Sequence, residues 1–167
     1  VRLDAGAIAD ASMGVVRDAA VVLRTGPAGT EIIYSGPSAA CPEPIRAPDR
    51  TIDCRDRLLM PGLVNAHTHL DLSHIGPVPH ESGDGFVKWV DHIRASRRSD
   101  DAEIADAVRL GVALSIAGGT VAVGDIAGAP GGRLTAAPAR ALGASGLAGV
   151  SYLEFFGIGK SAAGTVE

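Results

Sequence analysis

Two cysteines, Cys41 and Cys54, are all that the 167 residues hold. They lack close metal-ligand spacing and have no further thiols to pair with, so a disulfide framework is not expected and a reducing cytoplasm fits. No apolar run approaches the roughly 20 residues needed to span a bilayer, and the opening Val1-Arg2-Leu3-Asp4 does not have the pattern of a signal peptide. A first residue of Val rather than Met points to a clipped or non-standard start. Long basic runs are missing as well. The formal net charge is −4, and the small cluster Arg94, Arg97 and Arg98 reads as the solvated end of a helix. Neither a nucleic acid nor a membrane is therefore an expected partner. Several reaction signatures are absent too. There is no Gly-x-Ser-x-Gly elbow and no phosphate loop, and the glycines of 128–132 do not fit a dinucleotide fingerprint. Neither cysteine adjoins a base that would activate it.

What is present is a globular composition, 46% hydrophobic and 20% charged. Residues 1–57 read as short strands, at 19–24, 31–34 and 51–54, with a hairpin loop over 25–30 and an irregular stretch over 38–48. From residue 58 the pattern changes. The apolar run Leu63-Val64-Asn65-Ala66, bounded by Pro61-Gly62, predicts a buried strand. A long loop, 73–85, follows it and belongs to the length class that is often functional. Asp84 then caps a helix to Ser96 with an apolar stripe of Phe86, Trp89, Val90 and Ile93, the Trp being expected in the core. The run Ser99-Asp100-Asp101 opens a second helix carrying Ile104, Val108, Val112 and Ile116, which Gly118-Gly119 ends. Buried strands over 120–126 and 149–157 flank a third helix, 134–144, which accommodates Pro138 only in its first turn. The stretch 129–132 reads as a turn, and the tail 158–167 as loose. Helices alternating with apolar strands predict an α/β fold with right-handed crossovers around a parallel sheet.

The predicted histidine strand ends in His67-Thr68-His69. Side chains alternate along a strand, so His67 and His69 share one side while Thr68 faces the other. Two imidazoles at a strand end can share one metal ion. Asp71 follows two residues later, to orient a ligand histidine, contact substrate or cap the loop. Asp125 and Glu154, at or near the ends of the later strands, are the remaining candidates for substrate contact or support of the site. His74 belongs to the loop over the site, whereas His80 and His92 read as solvated.

The run Pro61-Gly62-Leu63-Val64-Asn65-Ala66-His67-Thr68-His69-Leu70-Asp71 resembles the first barrel strand of the amidohydrolase superfamily, in its cytosine deaminase, chlorohydrolase and aminofutalosine deaminase-like branch. That resemblance implies the N-terminal part of a TIM (β/α)8 barrel preceded by a small β-sandwich half-domain, with 1–57 as the β segment and 58–167 as the first three strand–helix units. It implies His67 and His69 as ligands of one divalent metal ion, zinc or iron, and a small-molecule substrate. The implied reaction is hydrolysis of a C–N bond other than a peptide bond, as in deamination of a purine- or pyrimidine-like ring. In the family, further histidines and a catalytic aspartate come from later strands that these residues do not include, so the catalytic residues are unknown and the isolated chain is expected to be inactive. The alternatives are a cyclic amide hydrolase with a two-metal site, and a non-catalytic relative that binds a metal or a partner. A homo-oligomer is possible on the same grounds.

Overall fold

A computed structural model describes residues 1–79, 83, 85–129 and 133–154. The expected Asp84 cap, the solvated His80, most of the 129–132 turn, the strand beyond Glu154 and the 158–167 tail lie outside the described residues. The chain divides into two compact units, Val1–Pro61 and Gly62–Glu167.

The first unit is a mixed sheet of strands β1 (Arg2–Asp10), β2 (Gly14–Gly26), β3 (Gly29–Pro37) and β4 (Thr51–Leu59), in the order β3-β2-β1-β4. A one-turn helix, α1 (Glu43–Arg46), lies within the stretch expected to be irregular. Strand β1 had no counterpart in the sequence pattern. Its residues are small and weakly β-forming, and it exists because it pairs with β2 on one side and β4 on the other. Ala5, Ile8, Ala19, Ala20 and Val22 are buried between these pairings. The β2–β3 hairpin is tighter than expected: Gly26 pairs with Gly29, leaving two residues, Pro27 and Ala28, at its tip. Arg2 is buried yet fully engaged, donating to Asp4 at 2.7 Å, to Ser38 Oγ at 2.5 Å and to the Arg46 carbonyl at 3.0 Å.

The second unit has a parallel sheet in the order β5-β6-β7, from strands Leu63–Thr68, Thr120–Gly128 and Ala148–Glu154. A 3₁₀ turn (Leu70–Ile75) follows β5 directly, where an open loop was expected. Helices α2 (Phe86–Ser96), α3 (Asp101–Ala117) and α4 (Ala137–Gly143) supply the crossovers. Asp100 caps α3, its side chain accepting from Ala102 N–H at 2.9 Å and Glu103 N–H at 3.1 Å. Pro138 falls in the first turn of α4, the one place where it costs no helical bond. Among the described residues no helix is long and apolar enough to cross a membrane.

Three burial expectations change. Strands β5 and β7 are exposed rather than buried; Val64, Val150 and Tyr152 each leave more than half of their surface open. These are the outer strands of the sheet, and the core forms where α3 and α4 meet the middle one. Leu70, Val108, Val112, Val123, Ala141, Leu142 and Leu147 make that core. On α3 the predicted stripe ends early, because Ile116 is exposed. Helix α2 buries no side chain completely: Val90 and Ile93 are half-buried, while Phe86 and Trp89 stack on each other in the open at 5.6 Å between centroids. The Trp is therefore not a core residue.

Asp101 ties the start of α3 to the segment before α4, accepting from Arg133 and Thr135 at 2.8 Å each. Those bonds, and the charges of Arg133 and Arg140, hold its carboxyl below the usual range. A depressed folded-state value adds stability above the unfolded value of about 3.9, lost as pH falls through the folded one. The stability difference between the protein and Asp101→Asn is thus full at neutral pH and shrinks below about pH 4, as thermal melts across that range will register. Leu142→Ala lowers the unfolding free energy by about 2–5 kcal/mol in urea titrations, whereas Leu114→Ala, on the exposed side of α3, changes it by less than about 0.5 kcal/mol.

Candidate metal centre

The end of β5 is held against the end of β6. Their ladder is irregular between the pairs Asn65–Val123 and Thr68–Asp125. Gly124 permits the close approach, since a Cβ there would run into the Ala66 carbonyl. Thr68 lies beside buried Asp125, and the flanking histidines project to the other side. The two rings approach to 5.3 Å between centroids, edge to face at 76°. His67 is exposed and His69 half-buried. The Nδ1 of His69 lies 2.6 Å from the Ile126 carbonyl, which can only accept. The proton therefore sits on Nδ1, and Nε2 is the nitrogen left to face a cation.

Asp125 is completely buried, on the side of the sheet away from these rings. Its Oδ1 accepts from Leu70 N–H at 2.9 Å and its Oδ2 from the Ser151 hydroxyl at 2.7 Å, so one carboxylate joins the turn after His69 to β7. Asp71 is 3% exposed. Arg97 Nη1 approaches its Oδ2 at 3.5 Å, and its Oδ1 is enclosed without a hydrogen-bond partner. Burial pushes the Asp71 carboxyl up; Arg97 opposes this, Asp125 adds to it, and His69 and the Gly128 amide pull it down. Glu154 ends β7, opposite Gly128 in the ladder, with its side chain exposed.

Two participants, Arg97 and Ser151, were not read as such from the sequence. Arg97 belongs to the cluster assigned to solvent, yet its side chain is only 15% exposed. Its position continues the Val90–Ile93 spacing by four residues, a signal that was available. Ser151 is matched to Asp125 only by the ladder register. His74, placed on a loop, lies in the 3₁₀ turn, with Nδ1 3.0 Å from the Asp71 carbonyl and Nε2 3.0 Å from that of Ser96. His92 is exposed, as expected.

Among the described residues no group of three or more His, Cys, Asp or Glu side chains could hold a metal ion. The two imidazoles fit two corners of a site, short of the three protein ligands usual for catalytic zinc.

No family model matches the chain. Among curated proteins it is similar to the imidazolonepropionases of Brucella abortus, 31% identical over 105 residues, and of Xanthomonas euvesicatoria, 35% over 111. These matches cover 54% and 58% of this chain but 24% and 25% of the relatives, so the chain spans about a quarter of their length. Among solved structures it resembles an atrazine chlorohydrolase of Arthrobacter aurescens complexed with zinc, with TM-score 0.72 and 19% identity over 96% of this chain and 37% of that one. An adenosine deaminase of Xanthomonas campestris with bound zinc has TM-score 0.66 and 25% identity over 89% and 32% of the two chains. A guanine deaminase of C. acetobutylicum with guanine bound has TM-score 0.68 and 15% identity over 90% and 35%. The chain is thus similar in sequence to imidazolonepropionases and in fold to zinc-bound and guanine-bound hydrolases of heterocyclic substrates.

Asp125→Ala strands the buried Leu70 N–H and lowers stability by about 1–3 kcal/mol for that group alone. Ser151→Ala, which removes one of the two donors and leaves the other bond intact, costs about 0.5–1.5 kcal/mol. Denaturant unfolding of the two variants checks the order.

Proposed function

We propose that this chain carries the first two metal ligands, His67 and His69, of a hydrolase that cleaves C–N bonds in small nitrogen heterocycles. The observation that carries the reading is the convergence of the two rings at the end of β5, with His69 held by Ile126 so that Nε2 is free. The parallel sheet β5-β6-β7 with its crossover helices is then the beginning of a TIM (β/α)8 barrel, and the first unit contributes to a β-sandwich. The chain ends of parallel strands are where such barrels place their chemistry, and both histidines occupy that end of β5.

A divalent cation, zinc or iron, held in part by His67 and His69, would supply a hydrolytic nucleophile at neutral pH. The residues of this chain do the holding. Ile126 keeps the proton on His69 Nδ1, and Asp125, through Leu70 N–H, fixes the backbone beside that ring. The remaining ligands and the proton-transferring group come from outside the described residues. Deamination of a purine- or pyrimidine-like ring is the first reaction to assay, given the adenosine and guanine deaminases among the structural neighbours. The curated relatives carry a different name, imidazolonepropionase, which keeps cyclic amide hydrolysis as the second.

In the intact protein, His67→Ala and His69→Ala each reduce metal-dependent turnover by more than about 100-fold, beyond the 10–100-fold typical of residues that only support a ligand. Ammonia release from a panel of aminopurines and aminopyrimidines, before and after chelation and zinc repletion, is the measurement. Undiminished turnover in both variants would remove the histidines from the site.

A further inference from the structure

The β5–β6 ladder is irregular twice, and the second irregularity cancels the first. Leu63 pairs with Thr120 but Val64 with Ala122, so Val121 is an extra residue on β6. Asn65 then pairs with Val123 and Thr68 with Asp125, so Ala66 and His67 together stand opposite Gly124. Paired residues in a ladder face the same side of the sheet, and a slip of one residue exchanges the sides. Had β5 run on from Asn65 without its extra residue, His67 would stand beside Asp125. Both histidines would then face the side on which Val123 packs into the core and Asp125 is buried. The bulge turns them to the open side instead.

Two contacts hold the bulge. The N–H of His67 donates to the side chain of Asn65, with Oδ1 at 3.2 Å, rather than to the neighbouring strand. The Ala66 carbonyl comes up against Gly124, where a Cβ would lie 2.4 Å from its oxygen and 3.0 Å from its carbon. Both are main-chain atoms of the peptide that leads into His67, so no rotamer change takes them out of the way. Gly124 is not one of the glycines with positive φ, so space rather than backbone conformation accounts for it.

We infer that Gly124 and Asn65 are positioning residues for the metal ligand His67. To clear a Cβ at 124 the Ala66 oxygen has to withdraw from 2.4 Å to at least 3.0 Å, about 0.6 Å, whereas the groups of a working site are held to within about 0.5 Å. The strand does not follow as a whole, because the Thr68–Asp125 pairing and the bond from His69 to Ile126 anchor it just beyond. His67 therefore moves relative to His69, and the two rings no longer converge on one point. Both residues act through the main chain of His67 rather than on the cation.

The inference rests on the metal reading above, and cobalt(II) binding to the intact protein separates the two. The wild type and His67→Ala are compared with Gly124→Ala, Asn65→Ala, Asn65→Asp and, as a control destabilised elsewhere, Leu142→Ala, recording affinity, the visible d–d bands and thermal stability. The expected result is about a tenfold or greater loss of cobalt affinity in Gly124→Ala, with altered d–d bands. Asn65→Ala changes both in the same direction to a smaller degree, and Asn65→Asp, which keeps an acceptor for the His67 N–H, recovers most of the loss. Leu142→Ala lowers the melting temperature and leaves affinity and bands as in wild type. Unchanged affinity and bands in Gly124→Ala would overturn the inference, as would a loss of the same size in Leu142→Ala, which would reduce the effect to stability. If Gly124→Ala does not fold, Asn65→Ala decides, and affinity and bands equal to wild type overturn the inference. Cobalt binding that His67→Ala leaves untouched would instead refute the metal reading, whereas a loss in His67→Ala with none in Gly124→Ala refutes this inference alone.

Discussion

One hydrogen bond governs the arrangement: the His69 Nδ1–H donated to the Ile126 carbonyl across 2.6 Å. It fixes the tautomer, the ring plane and the free nitrogen in a single contact. It is possible only because β5 and β6 run parallel and β6 continues past the end of β5, so that a residue just past one strand reaches the main chain of the next. Asp125 doubles the connection one residue along on each strand, taking the Leu70 amide. The irregular register between Asn65 and Thr68 brings these partners level, with Gly124 making room for the shift.

Around this junction the protein buries charge where an ordinary core would bury methyl groups. Asp125 and Asp71 are both enclosed, with Arg97 and His74 gathered about the same turn. Enclosed carboxylates are expensive unless nearly every lone pair is met. Asp125 is met by an amide and a hydroxyl; Asp71 is met on one oxygen only. The apolar core of Leu70, Val108, Val123 and Leu142 begins at the very next residue after His69. The turn is thus anchored by packing on one flank and by polar ties on the other, and the histidines stand at its root. Arg2 in the first unit shows the same economy, a buried charge met by three acceptors.

Much of this was legible beforehand, and the failures are instructive. The histidine strand, α3 opening within Ser99-Asp100-Asp101, and Pro138 in a first turn follow from local chemistry, where alternation, capping and proline sterics act within a few residues. Strand β1 was invisible because its small residues have little preference of their own and take their conformation from two neighbours distant in sequence. The exposure of β5 and β7 was missed because apolar runs report what a strand is suited to lie against rather than what covers it. Trp89 looked like a core residue on spacing alone, yet the inward side of α2 is its Val90, Ile93 and Arg97 positions. An arginine at an inward position is easily read as solvent-facing, since the carboxylate that draws it inward lies on another element.

The central claim is that His67 and His69 bind one cation together, with His69 using Nε2. Long-range ¹H–¹⁵N NMR of the histidine side chains during a zinc titration of the intact protein tests this most directly. The account predicts that both rings respond at the same metal stoichiometry, with His69 Nδ1 keeping its proton throughout and Nε2 moving to the position of a zinc-bound nitrogen. A His69 ring protonated on Nε2, or a response confined to one of the two rings, would contradict it.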